Sequence, residues 1–156
     1  MSDTPPPPRL EFAFEARVGI APPIEAGTLP AGRRRIIPIT GGVVEGQRLH
    51  GIVVPGGADW QIVDANGVTD LTARYTLQAA DGTYIGVVNR GLRHGPPEVM
   101  ARLAAGERVD PALIYFRCTP VFEAPDGPHG WLMRHVFVAT GARHPDGVEI
   151  RFFAVL

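Results

Sequence analysis

The amino-acid sequence predicts an all-β protein: a closed, mostly antiparallel β-barrel of about eight or nine strands with one short α-helix. Three observations support this fold class. Short segments alternate between apolar and polar residues, they follow one another at regular spacing, and most are separated by glycine-containing turns. Helical and extended segments do not alternate along the chain, so a parallel sheet is not expected.

The first predicted strand shows the clearest alternation, because every second residue from Leu10 to Val18 is apolar and those between are mostly charged. The other strands are predicted at residues 35–44, 48–54, 59–64, 71–79, 84–89, 114–122, 131–140 and 148–155. Three dipeptides are typical of tight hairpin turns: Asn66-Gly67, Asp81-Gly82 and Asp146-Gly147. The pairs Gly41-Gly42 and Gly56-Gly57 instead indicate bulges or corners where a strand bends around a barrel.

One segment, residues 96–105, predicts a helix. Pro96 and Pro97 suit a helix start, Glu98 suits its positive N-terminal end, and Gly106 can end it. A helix this short is unstable alone. We therefore expect it to pack over one barrel mouth or along the barrel wall.

Length and composition limit the possible domain organisation and the cellular location of the protein. With 156 residues, the chain is expected to form one barrel domain at 9–156, preceded by a disordered, proline-rich arm at 1–8. The single cysteine, Cys118, excludes an internal disulfide, and neither a signal peptide nor a membrane-spanning run is visible. With a net charge of −1, the chain lacks the excess of positive charge that is typical of proteins that bind nucleic acid or an acidic membrane. The expectation is a cytoplasmic protein with no nucleic-acid or membrane partner.

Missing residue types exclude several kinds of chemistry. All fifteen basic residues are arginine, and the only serine is Ser2. Without lysine, Schiff-base chemistry and a Walker A loop are excluded, and a serine nucleophile in the arm is not expected. No histidines or cysteines stand at a recognisable metal-ligand spacing. We therefore expect no cofactor and no metal.

Polar residues on the predicted strands indicate a pocket inside the barrel, because alternate residues of a barrel strand face the interior. Tyr115 and Arg117 share one strand face, and Trp131 shares a face with His135 on the next predicted strand. An inward arginine requires a carboxylate or a ligand as its partner. Arg117 is therefore a candidate for binding an anionic or enolate-like oxygen, with help from Arg74 or Arg90.

Proton transfer would then fall to Tyr75, Tyr115, His135 or Asp59. Asp59 is expected to face opposite to Trp60, and Arg74 opposite to Tyr75. The alternative is structural: the arginines would form ion pairs or lie on the outer face, and the tyrosines and the histidine would be packing residues.

Six segments carry a resemblance to a known family when they are taken in order. They are GRRRIIPITGG (32–42), GIVVPGGADWQ (51–61), LTARYTL (71–77), VVNRGLRHGPPEV (87–99), YFRCTPVFE (115–123) and WLMRHVFVATG (131–141). The chain resembles the domain of unknown function 3237, also called uncharacterised protein family 0311, over nearly all of residues 10–156. This resemblance implies a closed barrel similar to the allene oxide cyclase type, often oligomeric, with no settled activity.

The resemblance also implies which positions line a pocket. The candidate catalytic residues are Asp59, Tyr75, Tyr115 and Arg117, and the candidate ligand-binding residues are Trp60, Arg74, Asn89, Arg90 and Trp131. The chain departs from the family pattern at Met133, where asparagine is usual, and at Cys118, where threonine is usual. If that asparagine binds substrate in other members, this chain lacks the contact.

Three classes of function remain open. The first is a cofactor-free enzyme that transfers protons on a small, partly apolar molecule, by isomerisation, cyclisation or addition of a hydroxyl across a double bond. The second is a non-catalytic barrel that binds a small hydrophobic or aromatic acid. The third is a structural or regulatory oligomer without a ligand. Outward-facing Arg117 and outward-facing tyrosines would argue against catalysis.

A homodimer or higher oligomer is expected whichever function holds. The last predicted strand is apolar on both faces near its end, where Phe152, Phe153 and Val155 follow one another closely. Such a strand is typical of a barrel wall that contacts a partner subunit.

Overall fold

A computed structural model describes all residues from Met1 to Leu156 and contains ten strands and one α-helix. In chain order the elements are β1 (Leu10–Ile20), β2 (Ile24–Leu29), β3 (Gly32–Glu45), β4 (Gly51–Val53), β5 (Ala58–Val63), β6 (Thr69–Ala79), β7 (Tyr84–His94), α1 (Pro97–Ala104), β8 (Tyr115–Glu123), β9 (Val136–His144) and β10 (Gly147–Val155). Two 3₁₀ turns, at Pro111–Leu113 and Gly130–Met133, precede β8 and β9. No helix is both long and apolar enough to span a bilayer.

Eight strands close into an antiparallel barrel in the spatial order β1-β10-β9-β8-β7-β6-β4-β3, because β3 pairs back with β1. The two further strands are β5, which continues the contact between β3 and β6 beyond β4, and β2, which forms a hairpin with β3. The closed all-β barrel predicted from the sequence is confirmed.

Both glycine pairs lie where the wall bends, as the sequence predicts. Gly41 and Gly42 have φ angles of 134° and 153° next to a register shift between β1 and β3. Gly56 and Gly57 join β4 to β5 with φ angles of 102° and 103°. These angles lie in the region that only glycine adopts without strain.

The barrel interior has a packed end and a hollow end. At the packed end, four phenylalanine rings contact one another with centroids 4.5–5.7 Å apart: Phe14, Phe122, Phe137 and Phe152. At the other end lies a cavity of about 830 Å³, whose wall includes Met100 and Leu103 of α1. The helix therefore lies at a barrel mouth, which is one of the two positions predicted for it.

Two parts of the sequence prediction need correction. The strand predicted at 131–140 begins only at Val136, because Gly130–Met133 forms a 3₁₀ turn that buries Trp131 in the packed end. Trp131 and His135 therefore do not share a strand face. Strand β2 was not predicted, because all six of its residues are exposed and its sequence shows no apolar alternation.

Candidate functional site

Three of the predicted site residues meet in the cavity. Asp59 on β5 pairs with Ala73 on β6, and Ala73 pairs in turn with Asn89 on β7. Tyr75 lies two residues beyond Ala73 and therefore on the same face of β6. Because Ala73 is small, the side chains of Asp59, Asn89 and Tyr75 surround one part of the hollow.

Five buried polar atoms of the cavity wall have no hydrogen-bond partner within the protein. They are Arg35 Nε, Asp59 Oδ1, Tyr75 Oη, Asn89 Oδ1 and Arg93 Nε. Nearly all buried polar atoms in folded proteins are paired, and each exception requires an explanation. Five exceptions facing one cavity indicate a place where polar atoms of a ligand, or water, complete the hydrogen bonds.

Asp59 has an environment suited to proton transfer. Its Oδ2 accepts a hydrogen bond of 2.7 Å from Gln61 Nε2, and Gln61 Oε1 accepts one of 3.4 Å from Arg35 Nη1. Burial raises the pKa of Asp59, and the Gln61 bond and the charges of Arg93 and Arg35 oppose this only in part. A raised pKa brings the carboxyl closer to the range in which it can both accept and donate a proton.

Tyr75 and Cys118 remain protonated for the same physical reason. Burial raises the pKa of Tyr75 well above its usual range, so its phenol acts as a hydrogen-bond donor. Burial also raises the pKa of Cys118 to about 12, although the neighbouring Asn89 opposes this. A thiol with such a pKa is a weak nucleophile, so Cys118 is a packing residue.

The cavity also contains four arginines that are not among the predicted site residues: Arg33, Arg35, Arg93 and Arg143. Arg35 Nε lies 3.2 Å from Glu25 Oε1, yet the angle is not that of a hydrogen bond. Burial lowers the pKa of Arg93 to about 10 against the opposing attraction of Asp59. The alternation of side chains could have identified two of them. Arg93 lies on the same face of β7 as Asn89, and Arg35 lies on the same face of β3 as the buried Ile37.

The other predicted site residues lie outside the cavity. Trp60, Arg74, Arg90, Tyr115 and Arg117 are exposed on the outer wall. Asp59 does face opposite to Trp60, and Tyr75 opposite to Arg74, as expected.

The position of Arg117 and Tyr115 follows from the phase of β8, whose inward residues include Phe116, Cys118 and Phe122. Arg117 Nη1 donates a hydrogen bond of 3.0 Å to the carbonyl oxygen of Phe116, and its guanidinium lies 5.4 Å from the centre of the Tyr115 ring. Neither side chain meets Asp59.

Trp131 occupies the opposite, packed end of the barrel. Its ring is buried, and the guanidinium of Arg48 lies 3.9 Å from the ring centre. The chain has no group of three or more histidine, cysteine or acidic residues arranged to hold a metal ion.

Comparison with known proteins places the barrel in a family. A family model described as "Protein of unknown function (DUF3237)" matches residues 8–155. The chain belongs to this family. The DUF3237 member is 46% identical over 145 residues to the UPF0311 protein blr7842 of Bradyrhizobium diazoefficiens, covering 93% of each chain. A crystal structure of a conserved protein of unknown function from Rhodopseudomonas palustris has a TM-score of 0.92 at 41% identity, with coverage of 97% of this chain and 100% of that one.

A more distant similarity reaches a protein with a named activity. This DUF3237 member is 31% identical over 85 residues to a hydroalkoxylation enzyme of Penicillium herquei, which covers 54% of this chain and 56% of the relative. A crystal structure of an enzyme from Penicillium herquei covers all of both chains with a TM-score of 0.73 at 20% identity. The structural similarity at this identity shows a shared fold.

Proposed function

We propose that this DUF3237 member is an enzyme that binds a small, partly apolar molecule in the cavity and transfers a proton on it without a cofactor. The observation that carries the proposal is that the free, buried Oδ1 of Asp59 and the unpartnered hydroxyl of Tyr75 belong to the wall of one cavity. A carboxyl of raised pKa and a phenol that stays protonated provide a proton-transfer group and a hydrogen-bond donor at one place.

Addition of a hydroxyl across a carbon–carbon double bond illustrates the chemistry. The substrate O–H gives its proton to the Asp59 carboxylate, while the Tyr75 O–H donates a hydrogen bond to the developing oxyanion. The oxygen then forms a bond to one alkene carbon, and Asp59 returns the proton to the other. One O–H bond and one π bond are lost, one C–O and one C–H bond form, and Asp59 regains its starting state. The name of the Penicillium relative supports this reaction type.

The alternative is a non-catalytic barrel that binds a small ligand in the same cavity. The outward position of Tyr115 and Arg117 favours it, because two of the four candidate catalytic residues are then outside the site. Asp59 and Tyr75 do lie in the cavity, and a simple binding site has no need of a carboxyl with a raised pKa. The enzyme is therefore the function we prefer.

The test uses an ortho-prenyl phenol, which contains a hydroxyl and an alkene in one small apolar molecule. In deuterium oxide, cyclisation by the wild-type protein is expected to give an ether with one carbon-bound deuterium, detected by mass spectrometry. The Asp59→Asn variant is expected to lose about 100-fold or more in kcat, and Tyr75→Phe about 10-fold or more.

The matched control is Tyr115→Phe, which removes the same hydroxyl from the outer wall and is expected to leave the rate unchanged. Equal losses in Tyr115→Phe and Tyr75→Phe would contradict the assigned site. Binding of the phenol to the wild-type protein, seen by saturation-transfer NMR, with no deuterium incorporated would support the binding-protein alternative.

A further inference from the structure

We propose that the natural substrate is an amphipathic organic acid whose carboxylate binds to three arginines at the cavity mouth, Arg35, Arg93 and Arg143. We call them the arginine cluster. The inference rests on the proposed function for the reaction at Asp59, but the binding of the acid is tested without turnover.

The arginine cluster brings like charges from three strands to one cavity. Arg35 comes from β3, Arg93 from β7 and Arg143 from β9, and all three side chains line the hollow. The three charges affect one another: Arg35 and Arg143 add to the burial that lowers the pKa of Arg93, and Arg35 adds to the burial that lowers the pKa of Arg143. Such an arrangement is unfavourable unless negative charge compensates it.

The protein supplies too little negative charge to do so. The cavity wall contains four arginines but only two carboxylic acids, Glu25 and Asp59. Glu25 pairs with Arg35 at 3.2 Å and with Arg33 at 4.0 Å. Neither Arg93 nor Arg143 forms an ion pair with any carboxylate. The excess of two positive charges grows to three when Asp59 is protonated.

Arg93 is the strongest indication that a ligand supplies the missing charge. Only 8% of its surface is exposed, and its Nε has no hydrogen-bond partner. The Phe116 ring centre lies 5.6 Å from its guanidinium, but no carboxylate pairs with it, and a buried cation without a counter-charge is costly for a folded protein. The planar guanidinium group matches a carboxylate, which can accept two parallel hydrogen bonds from it.

The mouth is less suited to a phosphate group. Helix N-termini that bind phosphate do so through free backbone N–H groups. Helix α1 begins at the mouth with Pro96 and Pro97, which have no N–H. The N–H groups of Val99 and Met100 both bond to the carbonyl oxygen of Pro96, so only that of Glu98 is free. The start of this helix therefore offers at most one backbone N–H to a phosphate.

Strand register gives the shape of the acid. Arg93 pairs with Thr69 on β6, whereas Asp59 pairs with Ala73 on the same strand. Thr69 and Ala73 are four residues apart, which places them about 13 Å from each other along the strand, and Leu71 faces the cavity between them. A substrate that reaches both places has a carboxylate at one end, an apolar middle, and its reacting oxygen at the other.

The experiment compares hydrocinnamate with hydrocinnamide, which has the same apolar body without the charge, by isothermal titration calorimetry on the full chain. Hydrocinnamate is expected to bind at least about 10-fold more tightly than the amide. Arg93→Gln and Arg143→Gln are each expected to weaken binding of the acid about 10-fold and to change binding of the amide less than about twofold.

Three variants separate this proposal from a change in folding or in the reaction. Arg117→Gln removes an arginine from the outer wall and should change neither affinity. Arg143 is only half-buried, so Arg143→Gln provides a folded variant if Arg93→Gln unfolds. Asp59→Asn should bind hydrocinnamate at least as tightly as the wild type while losing turnover of the prenyl phenol, so a failure of the reaction and a failure of anion binding are distinguished.

Equal affinity for the acid and the amide would overturn the proposal, as would a lack of binding of either compound at millimolar concentration. Tighter binding of phenyl phosphate than of hydrocinnamate would overturn the assignment to carboxylates. Loss of hydrocinnamate binding in Arg143→Gln, with amide binding retained, would support it.

Discussion

At the scale of single residues, Asp59 shows how the demands of a site oppose those of stability. Its Oδ2 is bound to Gln61, but its Oδ1 is buried with no partner. Burial raises its pKa above the ordinary value of 3.8, so the folded protein holds this proton more tightly than the unfolded chain does. The protonated Asp59 therefore contributes stability that is fully present below pH 3.8, and this contribution is lost as the pH rises through the raised pKa of the folded state.

This predicts that Asp59→Asn stabilises the protein near neutral pH. The amide carries no charge to bury, so we expect its melting temperature to exceed that of the wild type by about 3 °C at neutral pH. The difference should shrink as the pH falls through the raised pKa and vanish below 3.8, because the wild-type carboxyl is then protonated in both states. Differential scanning fluorimetry across this pH range measures it.

The control is Asp70→Asn, which removes the same charge from the exposed face of β6 and should leave the melting temperature unchanged. An Asp59→Asn variant that melts below the wild type at neutral pH would show that the buried carboxylate is held by interactions stronger than its desolvation.

Sequence alone could predict alternation at single residues but not always which phase faces inward. It placed Asp59 opposite Trp60 and Tyr75 opposite Arg74, and these relations hold because side chains alternate along any strand. On β8, both phases contain bulky residues, since Val121 is 65% exposed while Phe122 is buried. Tyr115 and Arg117 were assigned to the inner face because nothing in the local pattern separates the two phases.

At the scale of elements, turns and bulges decide where each strand's inner face begins. In β1, Leu10 and Phe12 are exposed whereas Phe14 is buried, although all three share one alternating pattern. The reason is a register shift between Phe12 and Phe14 in the pairing with β10. Such a bulge exchanges the two faces of a strand. It could not be predicted here, because β1 contains no glycine before Phe14 that would indicate a bulge.

The corner between β4 and β5 allows a matched test of close backbone approach. Gly56 and Gly57 have nearly the same φ angle, 102° and 103°. A Cβ added at Gly56 meets nothing within 4 Å, but one at Gly57 would lie 2.5 Å from the carbonyl oxygen of Arg74 and 3.1 Å from Cβ of Tyr75. The two positions therefore share backbone strain and differ in free space.

We expect Gly56→Ala to lower the free energy of unfolding by about 1–2 kcal/mol, which is the usual strain of a residue with a side chain in a left-handed conformation. Gly57→Ala should cost at least twice as much, because β5 must also move away from β6. Chemical denaturation measures both free energies of unfolding. Since Tyr75 lies at the contact, hydrocinnamide binding should also weaken in Gly57→Ala alone, and equal effects of the two substitutions would contradict the role given to this corner.

At the scale of the whole molecule, closure of the sheet and division of its interior explain both the stability and the site. The sequence predicted a closed barrel because its alternation, spacing and turns all favour one, and barrel closure leaves few exposed strand edges. It did not predict that aromatic rings fill one end and a cavity the other. That division depends on side chains from different strands meeting across the interior, which a pattern along one strand does not contain.

The outer wall carries an apolar strip across three strands, and we expect a second copy of the chain to cover it. The strip is fixed by register, because Leu10 pairs with Val155, Phe12 pairs with Phe153, and Val155 pairs in turn with Val136. Leu10 is 60% exposed, Phe12 44% and Val136 70%. Exposed apolar residues that form a continuous surface are typical of subunit contacts.

Placing a charge in this strip should therefore dissociate the oligomer. Phe12→Glu puts a carboxylate beside Phe153, whose ring centroid lies 5.7 Å from that of Phe12. The guanidinium of Arg151 lies 4.8 Å from the Phe12 ring centre and can pair with this carboxylate, but burying the pair in an interface costs more in desolvation than the pairing returns. Sedimentation velocity at micromolar concentration should show an oligomer for the wild type and a monomer for Phe12→Glu. The control is Tyr84→Glu. Tyr84 is also a large aromatic residue and is 60% exposed, but it lies on β7, away from the strip. A monomeric wild type would contradict the expected assembly, and dissociation by Tyr84→Glu as well would place the contact on another face of the barrel.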